Sequence, residues 1–540
     1  MATAEELRKI LVETVGTNGG HLASSLGAVE LAMALADVFE PTKDRVVWDV
    51  GHQAYAWKLL TGRADRFATL RKLDGVAPFP LPSESVADAA VAGHAGSALS
   101  VALGLAAARD CRGTDEQVVA VVGDASLSNG HSLEALSRLA SATRKLIVVL
   151  NDNEGKCVRP VCALAKLFGL ACEGPVDGHD LKKLKAVFRE ARTTAGSVLV
   201  HVVTRKGKGY APAEEDPTRY HNVSIPSDLS GRTWSDAFGE AVCAAAHEDG
   251  RVFALTAGMR DGTGLAGFAR EFPDRFRDVG IAEGHMVSFA AGLAAGGLRP
   301  VVAVYSTFLQ RAVDQVMHDV CIANLPVVFC VDRAGVVGAD GVTHQGLYDF
   351  AMLRSLPKLT ICQPKDSEDL VALLKEALKR NGPTVIRYPR GAAPSLVSHV
   401  LSPVEEEPLE TSDAGRKTRR RLSIWATGDQ LGKAHAVAAA FPGSDVVFAR
   451  YLKPFDAALL KRQREAGRLI VSLENGAVAG GFGEAISADF KFGWPDVFIP
   501  HGAVSELERR YRFDVDSIVA TLQTSQTPQT SQTLQTSQTS

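Results

Sequence analysis

The sequence has almost no excess of charge of either sign. Its 540 residues contain 59 Lys and Arg against 62 Asp and Glu, a formal net charge of -3. Proteins that bind nucleic acid or anionic membranes through their overall charge usually carry a clear positive excess. The balance excludes that mode of binding and favours a globular protein that acts on small molecules, so we expect no nucleic-acid partner.

Long apolar runs are missing as well. The chain has no stretch of about eighteen apolar residues that would suggest a membrane span. Its N-terminus has neither the apolar core of a signal peptide nor the Arg- and Ser-rich composition of a transit segment. We therefore expect no membrane partner and a cytoplasmic location.

Paired cysteine motifs are also absent. The eight cysteines contain no C-x-x-C pair and mostly lie within apolar runs, which predicts buried free thiols. Cys157, Cys162 and Cys172 are close in sequence, but their spacing does not fit a zinc ribbon and no histidine completes the set. We therefore favour structural thiols over a metal site.

What the chain does contain is a repeated alternation of short apolar runs and helical stretches. Runs rich in Val and Ile occur at 118–122, 146–150, 198–203, 301–304, 327–331 and 446–448. Continuous apolar strands that alternate with helices form parallel sheets covered by helices on both faces. The sequence therefore predicts the α/β class.

Two polar, proline-containing stretches, 211–231 and 402–421, are predicted linkers. The second begins acidic and ends in a basic cluster, a composition more typical of a solvated linker than of a nucleic-acid patch. The tail 523–540 repeats Gln, Thr and Ser and is predicted to be disordered. The expected domains, each with a mainly parallel central sheet flanked by helices, are 1–210, 232–401 and 422–522.

Polar residues follow two of the predicted strands. Asp124 comes directly after one strand with Gly123, and the next strand ends in Asn151-Asp152-Asn153. Ligands of parallel α/β sheets bind at the carboxyl ends of strands, and carboxylate and amide oxygens suit Mg²⁺. Gly-Asp alone is more often a turn, but the second motif strengthens the prediction of a site for Mg²⁺ and a diphosphate.

A further carboxylate, Glu283, opens a predicted helix of small residues that includes 290–296. By composition alone this glutamate is an ordinary residue at a helix start, where a negative charge interacts well with the helix dipole. The residues by themselves leave its role open.

Longer ordered strings identify a family. They are Gly19–Ser24, Trp48–Tyr55, Tyr305–Arg311, Asp332–Gly335, Gly338–Gly346 and Arg387–Gly391. They resemble the 1-deoxy-D-xylulose-5-phosphate synthases of the transketolase superfamily, and the resemblance spans all but the tail. It implies a transketolase-like homodimer that uses thiamine diphosphate and Mg²⁺. The implied reaction decarboxylates pyruvate and adds the remaining two carbons to D-glyceraldehyde 3-phosphate, the first step of an isoprenoid pathway.

The resemblance also implies roles for individual residues. Glu283 would bond the coenzyme's pyrimidine ring, and His21, His221 and His344 would transfer protons near the reacting carbons. The expected coenzyme contacts are His52, Gly93, His94, Ala95, Ala125, Ser126, Asn153, Tyr210, Glu283 and Phe308. The expected Mg²⁺ ligands are Asp124, Asn153 and the backbone carbonyl of Gly155. The expected substrate contacts are Tyr305, Arg311, Arg333, Asp340 and Arg390, with Arg333 and Arg390 binding phosphate.

Four features depart from the family pattern: Ala125 in the diphosphate motif, Gly96 in the Gly-His turn, Gly284 after Glu283, and a short path from Asn153 to Gly174. The family has a longer, mobile connection at the last position, and such loops often gate water and substrate. We therefore predict the same chemistry with altered kinetics or acceptor tolerance. Two alternatives stay open: another transketolase-like enzyme, and a coenzyme-binding relative that has lost catalysis.

Overall fold

The computed structural model describes residues 2–153, 161–223, 231–394 and 421–526. Gly155, Cys157 and nearly all of the second predicted linker lie outside the described residues. The expectations placed on those positions therefore stay predictions, as do the domain boundaries.

The first sheet has five parallel strands in the order β1-β2-β3-β5-β4. The strands are β1 (Arg45–Trp48), β2 (Val118–Gly123), β3 (Ile147–Asp152), β4 (Ala171–Asp177) and β5 (Val198–Val203). The helices are α1 (Ala4–Asn18), α2 (Leu22–Gly27), α3 (Val29–Val38), α4 (Tyr55–Lys58), α5 (Ala98–Arg112), α6 (Asp124–Leu127), α7 (Gly130–Ala142), α8 (Val161–Leu167), α9 (Leu181–Thr193) and α10 (Ala211–Glu215). Strands β2 and β3 are buried on both faces, which explains their continuous Val and Ile content.

The second sheet has seven strands in the order β14-β10-β11-β9-β8-β6-β7, of which β14 is Tyr451–Lys453. They include β6 (Val252–Thr256), β7 (Phe276–Asp278), β8 (Arg299–Tyr305), β9 (Val328–Asp332), β10 (Thr360–Cys362) and β11 (Thr384–Arg387). The helices are α11 (Trp234–Glu248), α12 (Ala266–Glu271), α13 (Glu283–Ala295), α14 (Ser306–Leu309), α15 (Val313–Gln315), α16 (Asp349–Leu353) and α17 (Ser367–Lys379). Only the edge strand β14 is antiparallel in this sheet, and it comes from the C-terminal part of the chain.

The third sheet has four parallel strands in the order β13-β12-β15-β16. The strands of this C-terminal part are β12 (Leu422–Thr427), β13 (Asp445–Ala449), β14 (Tyr451–Lys453), β15 (Leu469–Ala477) and β16 (Phe490–Trp494). The helices are α18 (Leu431–Ala439), α19 (Ala457–Glu465), α20 (Phe482–Ala485), α21 (Val504–Arg510) and α22 (Val515–Gln526). Short segments of 3₁₀ or π helix are Leu59–Arg63, Ala64–Thr69, Pro273–Arg275, Gln310–Ala312, Val316–Cys321 and Gly428–Gln430.

Three mainly parallel sheets flanked by helices confirm the predicted α/β class. The structure bears on two other expectations. Part of the first predicted linker is structured, because α10 begins at Ala211 and Val223 pairs with Gly20 in an antiparallel bridge. The tail prediction is wrong for its first residues, because α22 continues to Gln526, while 527–540 lie outside the described residues.

The prediction of buried free thiols is also partly wrong. Cys162 and Cys172 form a disulfide, since α8 and β4 bring their Cα atoms to 5.4 Å. Cys111 is a free thiol but exposed, whereas Cys321, Cys330 and Cys362 are free and buried as expected. Among the described helices, none has the length and apolar content to cross a membrane.

Candidate active site

The carboxyl ends of β2 and β3 place the predicted metal ligands side by side. Gly123 and Asn151 are register partners in these neighbouring parallel strands, so Asp124 and Asn153 follow at the same edge of the sheet. Asp124 is buried and begins α6, where its Oδ1 accepts a hydrogen bond of 2.8 Å from the amide of Ala125. Because Ala125 lies within this helix, its methyl group needs no unusual backbone angle.

The Gly93–Ser97 turn, on the side of the first sheet, contacts residues that follow strands of the second sheet. Nε2 of His94 lies 2.9 Å from the hydroxyl of Thr307 and 2.8 Å from the carbonyl oxygen of Thr343. Gly93 has a φ of +153°, and a Cβ there would lie 2.3 Å from the Thr343 hydroxyl oxygen. Only glycine permits this close approach, so the turn fixes one wall of the site against the second sheet.

Asp49 holds this turn and was not singled out in the sequence. Its carboxylate accepts hydrogen bonds from the amides of Gly96, at 2.9 Å, and Ala98, at 3.2 Å. Burial raises the pKa of Asp49, while hydrogen bonds from Ser126 and these amides oppose the rise. The predicted coenzyme contact Ser126 therefore also helps to hold the turn.

Four histidines predicted from scattered motifs come together. The ring centroids of His21, His52 and His221 lie 5.5 to 5.8 Å apart, and His344 stacks on Phe79 with centroids 4.7 Å apart. Burial lowers the pKa of His21 and His52 well below the ordinary value and lowers that of His344 to about 4. These three imidazoles are therefore neutral at pH 7, and each offers one N–H donor and one acceptor nitrogen for hydrogen bonds.

Phe308 lies beside this cluster. Its ring centroid is 5.0 Å from that of His94, 5.6 Å from that of His344 and 5.8 Å from that of Tyr305. The phenyl ring thus presents an apolar face between polar side chains, as the predicted packing on a pyrimidine requires.

Asp340 lies between two cationic side chains. Nη1 of Arg71 is 2.5 Å from its carboxylate, and Nη1 of Arg390 is 3.7 Å away. Burial alone would raise the pKa of Asp340, but the Arg71 cation more than offsets this, and the pKa lies below its usual range. No motif in the sequence pointed to Arg71. Its φ is +68°, a value that non-glycine residues rarely adopt, and such a backbone angle cannot be read from the sequence.

Arg333 is held in place before any ligand binds. Its guanidinium lies over the ring of Tyr305, 3.6 Å from the centroid. Its Nη1 donates hydrogen bonds to the Asp332 carboxylate, at 2.9 Å, and to the carbonyl of Gly262, at 3.1 Å. Such fixed donors suit phosphate oxygens, because little side-chain freedom is lost when a ligand binds.

Glu283 is the first residue of α13 and is almost fully buried. Nη1 of Arg311 lies 3.4 Å from its carboxylate. Burial raises the pKa of Glu283, and the Arg311 charge opposes the rise. A buried carboxyl group at a helix start, with one cation beside it, can share a proton with a ring nitrogen of a ligand.

Two predicted positions have weaker structural support. Tyr210 precedes α10, and its ring packs edge-on against Tyr220 at 5.8 Å rather than against the histidines named above. Gly155 lies outside the described residues. Their roles as a coenzyme contact and a metal ligand stay predictions.

Comparison with known proteins gives consistent matches. A family model described as 1-deoxy-D-xylulose-5-phosphate synthase matches residues 1–172 and 164–204, and one for the transketolase pyrimidine binding domain matches 230–395. The 1-deoxy-D-xylulose-5-phosphate synthase 2 of Geobacter sulfurreducens is 41% identical over 96% of this chain and 95% of its own. A synthase of Thermus thermophilus is 42% identical over 95% of this chain and 94% of its own.

Solved structures include a transketolase from Leishmania mexicana with 18% identity, a TM-score of 0.47 and coverage of 97% of each chain. The family assignment does not depend on this similarity. It depends on the two family models and on near-complete coverage by relatives at about 41% identity. By these matches, the chain belongs to the 1-deoxy-D-xylulose-5-phosphate synthase family.

Proposed function

We propose that this protein condenses pyruvate with D-glyceraldehyde 3-phosphate, with loss of CO₂, to give 1-deoxy-D-xylulose 5-phosphate. The observation that carries the proposal is the cluster in which Asp340 lies between Arg71 and Arg390, with the imidazoles of His21 and His344 close to it. Cations for a phosphate, a carboxylate for hydroxyl groups and neutral imidazoles for proton transfer suit a phosphorylated hydroxyaldehyde.

The residues fit thiamine diphosphate as the coenzyme. Glu283 offers a buried carboxyl group for the pyrimidine ring, and Phe308 offers an apolar face. Within the described part of the chain, Nδ1 of His21 and of His52 are buried without a hydrogen-bond partner, as expected of groups that bind a ligand. When bound, thiamine diphosphate supplies the electron sink through which pyruvate loses CO₂.

Asp124, Asn153 and the carbonyl of Gly155 would hold Mg²⁺ through oxygen atoms, with the diphosphate completing the shell. No group of three His, Cys, Asp or Glu side chains with metal-site geometry occurs among residues 2–153, 161–223, 231–394 and 421–526. A Mg²⁺ site of this kind does not need one, because only one of its three protein ligands is a carboxylate. The donor set therefore fits the ion.

The remaining predicted residues would contact the acceptor, D-glyceraldehyde 3-phosphate. Arg333 and Arg390 would bind its phosphate, while Tyr305 and Asp340 would contact its hydroxyl groups. His21, His221 and His344 would pass a proton to the carbonyl oxygen as the new carbon–carbon bond forms and take one back when the product leaves. Because the low pKa values of His21 and His344 keep both neutral at pH 7, each would begin the reaction with one hydrogen-bond donor and one acceptor nitrogen.

We also propose that the protein is a cytoplasmic homodimer whose product feeds isoprenoid and thiamine synthesis. Support for a second copy is an exposed apolar surface on and beside α13, where Phe289, Met317 and Ile322 are 37%, 43% and 65% exposed. Burial of such side chains is favourable at about 25 cal/mol per Å². Light scattering after gel filtration tests this proposal, and we expect the mass of a dimer.

The experiment for the activity incubates purified protein with thiamine diphosphate, Mg²⁺, pyruvate and D-glyceraldehyde 3-phosphate. Mass spectrometry follows the ketose phosphate, and a coupled assay follows CO₂. We expect both products in equal amounts. If folded, coenzyme-saturated protein forms no ketose phosphate, the proposal is wrong. Transfer from a ketose phosphate donor in place of pyruvate would point to a transketolase instead.

A further inference from the structure

The geometry assigns Asn129 as a positioning residue for Glu283, and we propose that Gly96 is glycine in this chain to make room for it. Asn129 lies between α6 and α7 on the first sheet, whereas Glu283 begins α13 on the second. The proposal concerns how the two halves of the site are aligned, and its catalytic part rests on the function proposed above.

Asn129 makes two different hydrogen bonds with its side chain. Its Oδ1 accepts from the amide of His131, at 3.0 Å, and thereby caps α7. Its Nδ2 donates to the carbonyl of Ile281, at 2.6 Å, two residues before Glu283. Asn129 is 3% exposed, so both bonds are shielded from water.

The segment before Glu283 is otherwise held by its own sheet, where the amide of Val279 donates to the carbonyl of Thr256 at 3.0 Å. Ala282, the residue that precedes α13, has a methyl side chain and cannot cap the helix. On the other side, Asp278 accepts hydrogen bonds from the amides of Gly258, at 2.7 Å, and Gly280, at 3.0 Å. Asp278 thus ties the segment to its own sheet, whereas Asn129 ties it to the sheet that carries Asp124 and the Gly-His turn.

Gly96 explains how Asn129 reaches this position. A Cβ at residue 96 would lie 2.5 Å from Oδ1 and 2.8 Å from Cγ of Asn129, closer than such atoms can approach. Its φ of +88° also favours glycine. The departure at Gly96 and the asparagine at 129 are therefore one structural feature, and any larger residue at 96 would displace the link to Ile281.

The test separates the two hydrogen bonds by substitution. Asn129→Asp keeps an oxygen that caps α7 but loses the donor to Ile281, and Asn129→Ser is a second variant with the same property. Asp180→Ala is the matched control: Asp180 caps α9 by accepting from Lys182 and Lys183, on an exposed helix start.

The first readout is deuterium uptake of a peptide covering 278–284 in protein without coenzyme or substrates. We expect faster uptake in both Asn129 variants and no change in Asp180→Ala. Since this measurement needs no activity, it stands even if the proposed reaction is wrong. The second readout is kcat, which we expect to fall about tenfold, with KM for pyruvate within about twofold, because small misplacements act mainly on the chemical step.

Gly96→Ala completes the test, because it should give the same change in uptake and kcat in the wild-type background. In the Asn129→Ala background it should add less, since the contacts with Oδ1 and Cγ are gone and only a Cβ–Cβ contact of 3.3 Å and the backbone cost remain. Unchanged uptake at 278–284 together with unchanged kcat in Asn129→Asp and Asn129→Ser would overturn the proposal. Equal effects of Gly96→Ala in both backgrounds would overturn the assigned pairing of Gly96 with Asn129.

Discussion

The guanidinium of Arg71 lies 2.5 Å from the carboxylate of Asp340, although 269 positions separate the two residues in the sequence. Both side chains are almost fully buried, at 5% and 11% exposure. A buried ion pair contributes little net stability when intact, but removal of one partner leaves an uncompensated charge. The pair therefore makes the alignment of the first two sheets depend on two side chains at the site.

We expect Arg71→Ala to lower the free energy of unfolding by about 3–5 kcal/mol and kcat/KM for the aldehyde at least tenfold, because Asp340 loses its main cation. Arg71→Ala with Asp340→Asn should recover part of the stability but not the activity. The control is Arg510→Ala, which breaks an exposed pair with Asp74 and should cost no more than about 1 kcal/mol. Thermal melts and steady-state kinetics check this; equal losses in the two alanine variants would contradict it.

Glu283→Gln should abolish at least about 99% of kcat while the fold is retained, because an amide cannot exchange a proton with the coenzyme ring. The substitution keeps the size of the side chain but leaves Arg311, whose side chain is 22% exposed, without its counter-charge, so we expect a loss of stability of no more than about 1 kcal/mol. Ser288→Ala, on the exposed side of the same helix, is the control and should keep full activity. Retention of wild-type kcat in Glu283→Gln would refute the assigned role.

The buried histidines predict a pH dependence of stability. The folded pKa of His344 is about 4, below the ordinary 6.5. Between these values the unfolded chain binds more protons, so stability falls as pH decreases from about 6.5 to about 4. We expect His344→Asn to reduce the loss of unfolding free energy between pH 6.5 and pH 4 by at most about 3 kcal/mol.

The matched control for this experiment is His318→Asn. His318 is exposed, and Asp319 raises its pKa, so its contribution to stability is complete below 6.5 and is lost only at higher pH. Thermal melts of the three proteins from pH 7 to pH 4 measure the effect. If the melting temperatures of wild type and His344→Asn fell equally with pH across this range, the prediction would be contradicted.

The disulfide between Cys162 and Cys172 should stabilise the fold without affecting the chemistry. It closes a loop of 10 residues, for which loop closure predicts about 2–3 kcal/mol. Reduction, or Cys172→Ser, should lower the melting temperature and leave kcat within about twofold, because β4 is an edge strand of the first sheet. Cys243→Ser, which removes a free thiol, is the control. An unchanged melting temperature on complete reduction would count against a stabilising disulfide.

Asn475, on the third sheet, should affect substrate binding from a distance. Its Oδ1 accepts from the amide of Val336, at 3.1 Å, and from the indole of Trp494, at 2.9 Å. Val336 begins the loop that carries Asp340, so we expect Asn475→Ala to raise KM for the aldehyde severalfold and to cost about 1–3 kcal/mol. Gln463→Ala, which frees the indole of Trp425 on the same sheet, should cost similar stability without changing KM.

Sequence reasoning succeeded where one local pattern decided the outcome. Apolar runs predicted the strands, and the motifs around His21, His94, Phe308 and His344 contained side chains that do meet. It failed where the deciding contact is distant in sequence. Arg71 has no local pattern that points to Asp340.

The same limit applies to the cysteines and to the departures from the family. A spacing of ten residues does not reveal that α8 and β4 place Cys162 beside Cys172. The sequence showed Gly96 only as a departure from the family pattern. The side chain that we propose explains it, Asn129, is distant in the sequence. Such pairings depend on tertiary packing, which periodicity and composition do not encode.

The third sheet supplies no candidate catalytic side chain, yet its loops support those of the second. Gln345 donates to the carbonyl of Pro500 at 3.1 Å, and a Cβ on Gly341 would lie 3.1 Å from that of His501. A chain cut before residue 421 would keep every residue named for chemistry and still lose the backing of the Asp340 loop. Truncation at that point should therefore leave the reactive groups in the chain but remove both the support of the acceptor pocket and the edge strand β14 of the second sheet.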